Sequence, residues 1–231
     1  MHILITRPEP GAGETAQAVA ARGFTPVLAP ALTLEPVALV LPTRIQAVLL
    51  ASRAAARALP PTDLPVFAVG GGTAAEARAR GLPKVVAAEG DAAALAALVA
   101  ARLDPSAGPL LLAAGVGYGD PLTGLLRAQG FRVLRRIAYR ATPAASLPEP
   151  ARAALAAGKV GAALFFSPRS AARMMELLRG AGLVERCTAI DALALSPRIA
   201  ATLRVLPWRC IRATSRPDPV ALLDMLGQAP E

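Results

Sequence analysis

Short apolar runs alternate with Ala-rich stretches of helical character along almost the whole chain. Glycines such as Gly23, Gly81 and Gly130 follow helical stretches, as glycines that end helices do. Strands are predicted at residues 3–6, 25–28, 47–51, 66–69, 84–87, 109–113, 132–136, 162–166, 189–195 and 210–213. Helices are predicted to begin near Gly13, Arg53, Thr73, Asp91, Asp120, Pro150, Pro168, Pro197 and Asp218. Strands that alternate with helices in this way predict an α/β fold with parallel sheets.

The same pattern nearly repeats itself within the chain. Three pairs of segments match in the same order, namely residues 3–36 with 110–143, 51–56 with 167–172, and 68–87 with 194–213. In the first pair, Gly23-Phe24 falls on Gly130-Phe131. We therefore expect two similar α/β lobes, with a ligand bound in a cleft between them.

Two Pro-marked stretches occupy equivalent places in this duplication, at residues 32–36 and 138–143. Both have extended character, because the proline ring disfavours the helical conformation for the residue that precedes it. We expect them to carry the chain from one lobe to the other and to pair as a short antiparallel ladder. The residue pattern alone leaves open which parts of the chain form which lobe.

The charge and composition narrow the classes of partner. The 231 residues carry a net charge of +9, and only Lys84 and Lys159 among the 25 basic residues are lysines. This excess of arginine fits either GC-rich codon usage or an acidic partner such as a polycarboxylate small molecule. Nucleic acid is disfavoured, because no basic run is interleaved with aromatic residues. We expect no membrane span, because no charge-free apolar run reaches about 18 residues, and the absence of a signal-peptide pattern predicts a cytoplasmic protein.

Several kinds of catalytic centre are disfavoured by the residues present. His2 is the single histidine, and Cys187 and Cys210 have no metal-binding or redox spacing, so neither a metal site nor a Ser-His-Asp system is expected. The glycines at residues 70–72 lack both the lysine of a P-loop and the spacing of a dinucleotide fingerprint. The sequence therefore predicts neither a metal nor a nucleotide cofactor.

Turns from strand to helix are the remaining candidates for ligand binding. Ser167-Pro168 and Ser196-Pro197 each place serine at an N-cap and proline at the first helical position. Gly70 to Thr73 open another helix. The amide groups at such helix starts can bind carboxylates, although each motif also fits ordinary helix capping.

Tyr139 is the other candidate, because it lies in a predicted lobe crossing. A phenol is protonated at neutral pH and can donate a proton, although a ring at this position more often packs against the linker. Tyr118, in the Gly-rich turn at residues 115–119, is interpreted as a loop residue.

Taken together, these motifs resemble the uroporphyrinogen-III synthase family. The resemblance runs from Ile5-Thr6-Arg7-Pro8 through Ala68-Val69-Gly70 with Thr73-Ala74, Leu164-Phe165-Phe166-Ser167-Pro168 and Ala194-Leu195-Ser196-Pro197 to Trp208 and Ala213. It implies two flavodoxin-like lobes joined by a two-stranded linker, one of them discontinuous. Residues 1–33 and 143–231 would form the discontinuous lobe and residues 36–139 the other.

The resemblance also implies an activity. Members of this family cyclise hydroxymethylbilane, a linear tetrapyrrole with eight carboxylates, and invert its ring D in heme biosynthesis. The family tyrosine falls on Tyr139, which becomes the candidate general acid. Arg7, Ser52, Gly70, Thr73, Ser167 and Ser196 become the candidate substrate-binding residues. We expect a monomer without cofactor or metal, which makes transient contact with the enzyme before it in the pathway and binds neither nucleic acid nor membrane.

The chain departs from the family pattern at three places. The turn that ends at Asp120 has no arginine, Arg198 stands where relatives have hydroxyl residues, and Ala51 replaces the first of two hydroxyls at Ala51-Ser52. These departures leave a second reading, a non-catalytic protein that binds an acidic tetrapyrrole. A third reading, an unrelated solute-binding or regulatory domain, rests on fold analogy alone.

Overall fold

The computed structural model of the protein describes residues 1–116, 120–215 and 218–229. The strands are β1 (His2–Ile5), β2 (Thr25–Leu28), β3 (Leu32–Pro36), β4 (Ala47–Leu50), β5 (Val66–Ala68), β6 (Val85–Ala87), β7 (Leu110–Gly115), β8 (Val133–Pro143), β9 (Val160–Phe165), β10 (Asp191–Ala194) and β11 (Cys210–Ala213). The helices are α1 (Ala12–Ala20), α2 (Arg53–Ala58), α3 (Gly71–Ala79), α4 (Ala92–Arg102), α5 (Asp120–Ala128), α6 (Glu149–Ala156), α7 (Pro168–Gly180), α8 (Pro197–Leu203) and α9 (Pro219–Asp224). In this part of the chain no helix is both long enough and apolar enough to cross a membrane.

The chain divides into two compact units. Unit 1 comprises Met1–Thr33 and Thr142–Glu231, and unit 2 comprises Leu34–Ala141. Each unit is built around its own sheet, and β3 and β8 carry the chain across the boundary. The predicted α/β fold with parallel sheets is confirmed.

Unit 1 contains a parallel sheet with the order β11-β10-β9-β1-β2. Its central strands are buried on both faces, so they consist of continuous apolar residues rather than alternating ones. Ile3 and Ile5 pack on one face with α1 and α9, whereas Leu4 packs on the other face with α6, α7 and α8. Helix α7 buries Ala171, Met174 and Leu178, a helical spacing that turns one apolar side toward the sheet.

Unit 2 contains a sheet with the order β3-β8-β7-β4-β5-β6. The strands from β8 to β6 are parallel. Val48 and Leu50 belong to a core cluster with residues of α2 and α3, whereas Ala47 and Leu49 belong to a cluster with residues of α4 and α5. The alternation of strand side chains therefore divides one apolar strand between two cores.

The internal duplication corresponds to matching positions in the two sheets. Spatially, β2-β1-β9-β10-β11 in unit 1 is matched by β8-β7-β4-β5-β6 in unit 2. The matching segments 3–36 and 110–143 contain β1 and β2 in one unit and β7 and β8 in the other. In unit 1 the chain enters the sheet at β1, whereas in unit 2 it enters the matching strands at β4, so the two copies are circular permutations of one arrangement.

The two crossing strands are antiparallel neighbours. The Ala144 amide donates to the Ala31 carbonyl over 3.0 Å, and the Val37 amide donates to the Ala138 carbonyl over 2.8 Å, so the partners advance in opposite directions. The sequence predicted a strand at residues 132–136 and a separate crossing at 138–143. The structure instead has one continuous strand, β8, because its first half pairs with β7 and its later residues pair with β3.

Candidate functional site

The predicted site residues follow the carboxyl ends of parallel strands in both units. In unit 1, Arg7 and Ser167 follow the neighbouring strands β1 and β9, where the strand order changes direction. In unit 2, Ser52 follows β4, and the adjacent strand β7 ends at Gly115 at the corresponding change of direction. Ligands of open α/β sheets bind at such positions, because the connections diverge there to opposite faces.

A bulge in β8 directs the Tyr139 side chain. Ala114 pairs with Ile137 but Gly115 pairs with Tyr139, so Ala138 is an extra residue in the ladder. Ala138 and Tyr139 are therefore buried in the same core cluster although they are consecutive in a strand. Tyr139 is 8% exposed, and its ring packs over the end of β7.

Gly115 provides the space for this ring. A Cβ atom built on Gly115 would lie 2.6 Å from both Cε2 and Cζ of Tyr139 and 2.9 Å from its hydroxyl oxygen. These distances are far below ordinary van der Waals contact, so a side chain at this position is incompatible with the observed ring. The turn beyond Gly115 includes Gly117, Tyr118 and Gly119, which lie outside the described residues.

The Tyr139 hydroxyl is held at the start of α2. Ser52 Oγ donates to it over 3.3 Å and accepts a hydrogen bond from the Ala55 amide over 3.2 Å. Ser52 is thus the N-cap of α2 as well as a neighbour of the phenol. The structure brings together these two predicted residues, which are 87 positions apart.

A cavity of about 410 Å³ opens beside this pair within unit 2. Its walls are formed by Ala51, Ser52, Val69, Ala92, Ala114, Gly115, Pro121, Leu122 and Tyr139. Within this described lining, the two hydroxyl groups are the only polar groups on side chains. An apolar space with a phenol at its wall suits an uncharged ring better than a carboxylate.

Gly70 lies in the turn just before α3, and Thr73 lies in the first turn of that helix. Gly70 is the N-cap and makes no side-chain capping bond, and the Gly71, Gly72 and Thr73 amides have no hydrogen-bond acceptor in the described parts of the chain. Gly71 and Gly72 are exposed, whereas Thr73 is buried. Three such amides at a helix start are available as hydrogen-bond donors to an anion.

Arg53 was not among the predicted site residues. Its Cδ lies 4.0 Å from the position that a Cβ on Gly72 would take, so its side chain runs beside the start of α3. The available sequence signal was its place directly after Ser52, at the carboxyl end of a buried strand.

In unit 1, the start of α7 is close to Arg7. Ser167 Oγ accepts from the Ser170 amide over 3.1 Å and donates to Ser170 Oγ over 2.8 Å. The Arg7 guanidinium stacks on the ring of Phe166, the residue before Ser167, at 4.3 Å from the ring centroid. It also donates to Thr15 Oγ1 over 3.4 Å. This arrangement fixes a cation beside the α7 turn.

Ser196 caps α8 in the same manner, because its Oγ accepts from the Ile199 amide over 3.4 Å. The strands β9 and β10 are neighbours, so Ser167 and Ser196 follow adjacent strand ends. At α1 the chain supplies its own anion, since the Glu9 carboxylate accepts from the Gly11 amide over 2.9 Å and from the Gly13 amide over 2.8 Å. The start of α1 is therefore already occupied by a carboxylate.

Neither cysteine is a candidate nucleophile. Burial raises the pKa of the Cys187 thiol to about 11. Burial, followed by the hydrogen bond to Asp191, also raises the pKa of Cys210. Both thiols are therefore protonated at neutral pH. Among the residues that the structure describes, no three His, Cys, Asp or Glu side chains form a group that could hold a metal ion.

Comparison with known proteins gives the family. The pattern of the family described as uroporphyrinogen-III synthase HemD matches residues 13–224. Uroporphyrinogen-III synthetase from Helicobacter pylori is 13% identical, with 97% of each chain covered and a TM-score of 0.63, which shows a shared fold. A mutant uroporphyrinogen III synthase from Thermus thermophilus is 23% identical, covers 98% of this chain and 96% of its own, and has a TM-score of 0.49. No functionally curated protein matches this chain. Because the family pattern spans nearly all of the sequence, the chain belongs to the uroporphyrinogen-III synthase family.

Proposed function

We propose that this protein is a lyase that converts hydroxymethylbilane into uroporphyrinogen III. The observation that carries the proposal is Tyr139, a phenol held at the carboxyl edge of unit 2 beside an apolar cavity, in a chain that belongs to this family. The reaction removes one water and closes a macrocycle, and it needs neither an oxidant nor a reductant.

The carboxylates of the substrate bind to helix starts and arginines. The Gly71, Gly72 and Thr73 amides at α3 offer donors in unit 2, and Arg7 with the α7 turn at Ser167 offers a cation and a polar cap in unit 1. Ser196 provides a further capped turn at α8. A net charge of +9 favours an anion with eight carboxylates, because long-range attraction adds to these local contacts.

Tyr139 acts as general acid in the first chemical step. Its hydroxyl gives a proton to the hydroxyl of the ring A hydroxymethyl group, the C–O bond breaks, and water leaves. The product of this step is an azafulvenium cation, whose charge is shared with the pyrrole nitrogen. A positioned acid contributes about 10²–10⁴-fold to such a step.

The cation is then attacked by ring D. Attack through the substituted α-carbon of ring D gives a spiro intermediate, and fragmentation with reclosure at the other α-carbon inverts the ring. Loss of a proton on closure restores the aromatic pyrrole and replaces the proton that Tyr139 gave up, so the net reaction releases one water. A flexible linear tetrapyrrole must be held in one pose for this sequence, so orientation supplies a large part of the rate.

Incubation with freshly prepared hydroxymethylbilane, followed by separation of the product isomers, tests the proposal. The proposal predicts fast formation of the type III isomer, whereas spontaneous closure gives type I. Formation of type I alone at the uncatalysed rate would refute it. Tight binding of the substrate without faster conversion would instead identify a tetrapyrrole-binding protein.

A further inference from the structure

The Ser52 hydroxyl makes its hydrogen bonds to groups of the protein itself. Its hydroxyl has one proton, which is donated to the Tyr139 oxygen, and its oxygen accepts the Ala55 amide. A substrate carboxylate accepts hydrogen bonds and needs a donor. Ser52 cannot supply that donor while it holds Tyr139. The sequence predicted contact between Ser52 and substrate, but this geometry favours a different role.

The geometry points to Ser52 as a positioning residue that acts on the reaction through Tyr139. This inference rests on the proposed function, because it concerns the proton that Tyr139 gives to the departing hydroxyl. Ser52 fixes the phenol oxygen beside the cavity and stabilises the negative charge that develops on it as the proton leaves. It acts without touching the substrate.

The start of α2 strengthens this contact. The Ala55 amide belongs to the first turn of the helix, and its bond to Ser52 Oγ polarises the hydroxyl toward its own acceptor. The three groups therefore form a directed chain from the Ala55 amide through Ser52 to Tyr139. The missing side chain of Gly115 leaves room for the ring in this position.

A double-mutant cycle with Ser52→Ala and Tyr139→Phe tests the inference. Loss of one hydrogen bond to the phenol should lower kcat for type III formation by about fivefold, with KM changed by less than about twofold. In the Tyr139→Phe background, Ser52→Ala should cause no further loss of kcat, because the group through which Ser52 acts is already absent. Ser52→Thr keeps both the donor and the cap, so it should retain nearly full kcat.

The loss of the helix cap needs its own control. Asp104 is the N-cap of the short Pro105–Ala107 turn, and its carboxylate accepts a hydrogen bond from the Ser106 amide over 2.8 Å. Asp104→Ala removes this cap. This turn precedes β7 and thus lies at the opposite end of the strand from Gly115. Asp104→Ala should keep the kcat and KM of the wild type, which separates loss of a cap from loss of the Tyr139 contact.

The outcomes distinguish this inference from the proposed function. If Ser52→Ala lowers kcat equally in both backgrounds, or if it chiefly raises KM, Ser52 does not act through Tyr139 and the inference is wrong while the proposed function stands. A wild-type protein that forms no type III isomer would overturn both.

Discussion

Gly115→Ala displaces the Tyr139 ring without changing either Tyr139 or Ser52. The new Cβ would lie 2.6 Å from Cε2 and Cζ of the ring. Carbon atoms in contact prefer about 3.5–4.0 Å, so the ring must move by about 0.9–1.4 Å. The hydrogen bond between the Ser52 and Tyr139 oxygens is already long at 3.3 Å, so a shift of this size away from Ser52 would break it.

The expected effect is a large loss of rate with a small loss of stability. A misplacement of about 1 Å at a catalytic group can cost about 100-fold in rate. Added volume in a packed core costs about 1–3 kcal/mol, and the lower end applies here because the outer end of one side chain can yield. For a chain of this size, about 1 kcal/mol lowers Tm by about 2–4 °C.

The assay combines the initial rate of type III formation with thermal unfolding of the same preparations. Gly124→Ala is the matched control, because Gly124 lies in α5 of the same unit and a Cβ built there meets nothing within 4 Å. That control should keep full activity and gain stability of about 0.5–1 kcal/mol from the helix. In a Tyr139→Ala background, Gly115→Ala should no longer lower Tm.

Two results would show that Gly115 does not position the Tyr139 ring for the reaction. Wild-type turnover in Gly115→Ala would show that the observed ring position is unimportant to the reaction. An equal loss of Tm in the presence and absence of the Tyr139 ring would show that the added methyl group acts on something other than the ring.

Three further predictions concern binding and stability. Ser167→Ala removes the acceptor of the Ser170 amide, so it should cost about 1 kcal/mol of unfolding free energy and raise KM modestly, as urea unfolding and kinetics would show; an unchanged midpoint would contradict the capping role. KM for hydroxymethylbilane should rise as sodium chloride increases from about 0.05 to 0.5 M, because salt screens the attraction of carboxylates; a constant KM would argue against it. The pKa of Cys187 is raised from 9.0 to about 11, so its contribution to stability is full below pH 9 and is lost as the pH rises toward 11. A thiol reagent at neutral pH should therefore modify Cys187 only after unfolding, and labelling of the native thiol would contradict its burial.

The fold could be predicted from the sequence to a large extent, because its signals are local. The strands at residues 110–113 and 162–165 are short apolar runs, and Ser167-Pro168 marks the start of α7 by capping chemistry. The repeated segments in the sequence predicted two similar lobes. In the structure, these segments do occupy matching positions in the two sheets. These features depend on residues that are close in sequence or on a repeated order.

The site could be predicted only in part, because its contacts join distant residues. Tyr139 and Ser52 were both candidates, but their contact depends on the Ala138 bulge, which the residue pattern does not reveal. The need for glycine at Gly115 could not be predicted either, because it depends on contact with a ring 24 positions away in the sequence. The contacts of the Glu9 carboxylate with the start of α1 were not predicted either, although its partners are near in sequence, because they depend on how the loop before the helix folds.

We expect the Tyr139 hydroxyl to donate the proton that releases water from hydroxymethylbilane. The most direct measurement compares the rate of type III formation by the wild type and Tyr139→Phe, after equal melting temperatures have been shown. Phenylalanine keeps the packed ring and removes only the hydroxyl, so kcat should fall by about 10²–10⁴-fold while KM changes little and some activity remains. Unchanged type III turnover in Tyr139→Phe would contradict the claim and leave orientation of the substrate as the source of the rate.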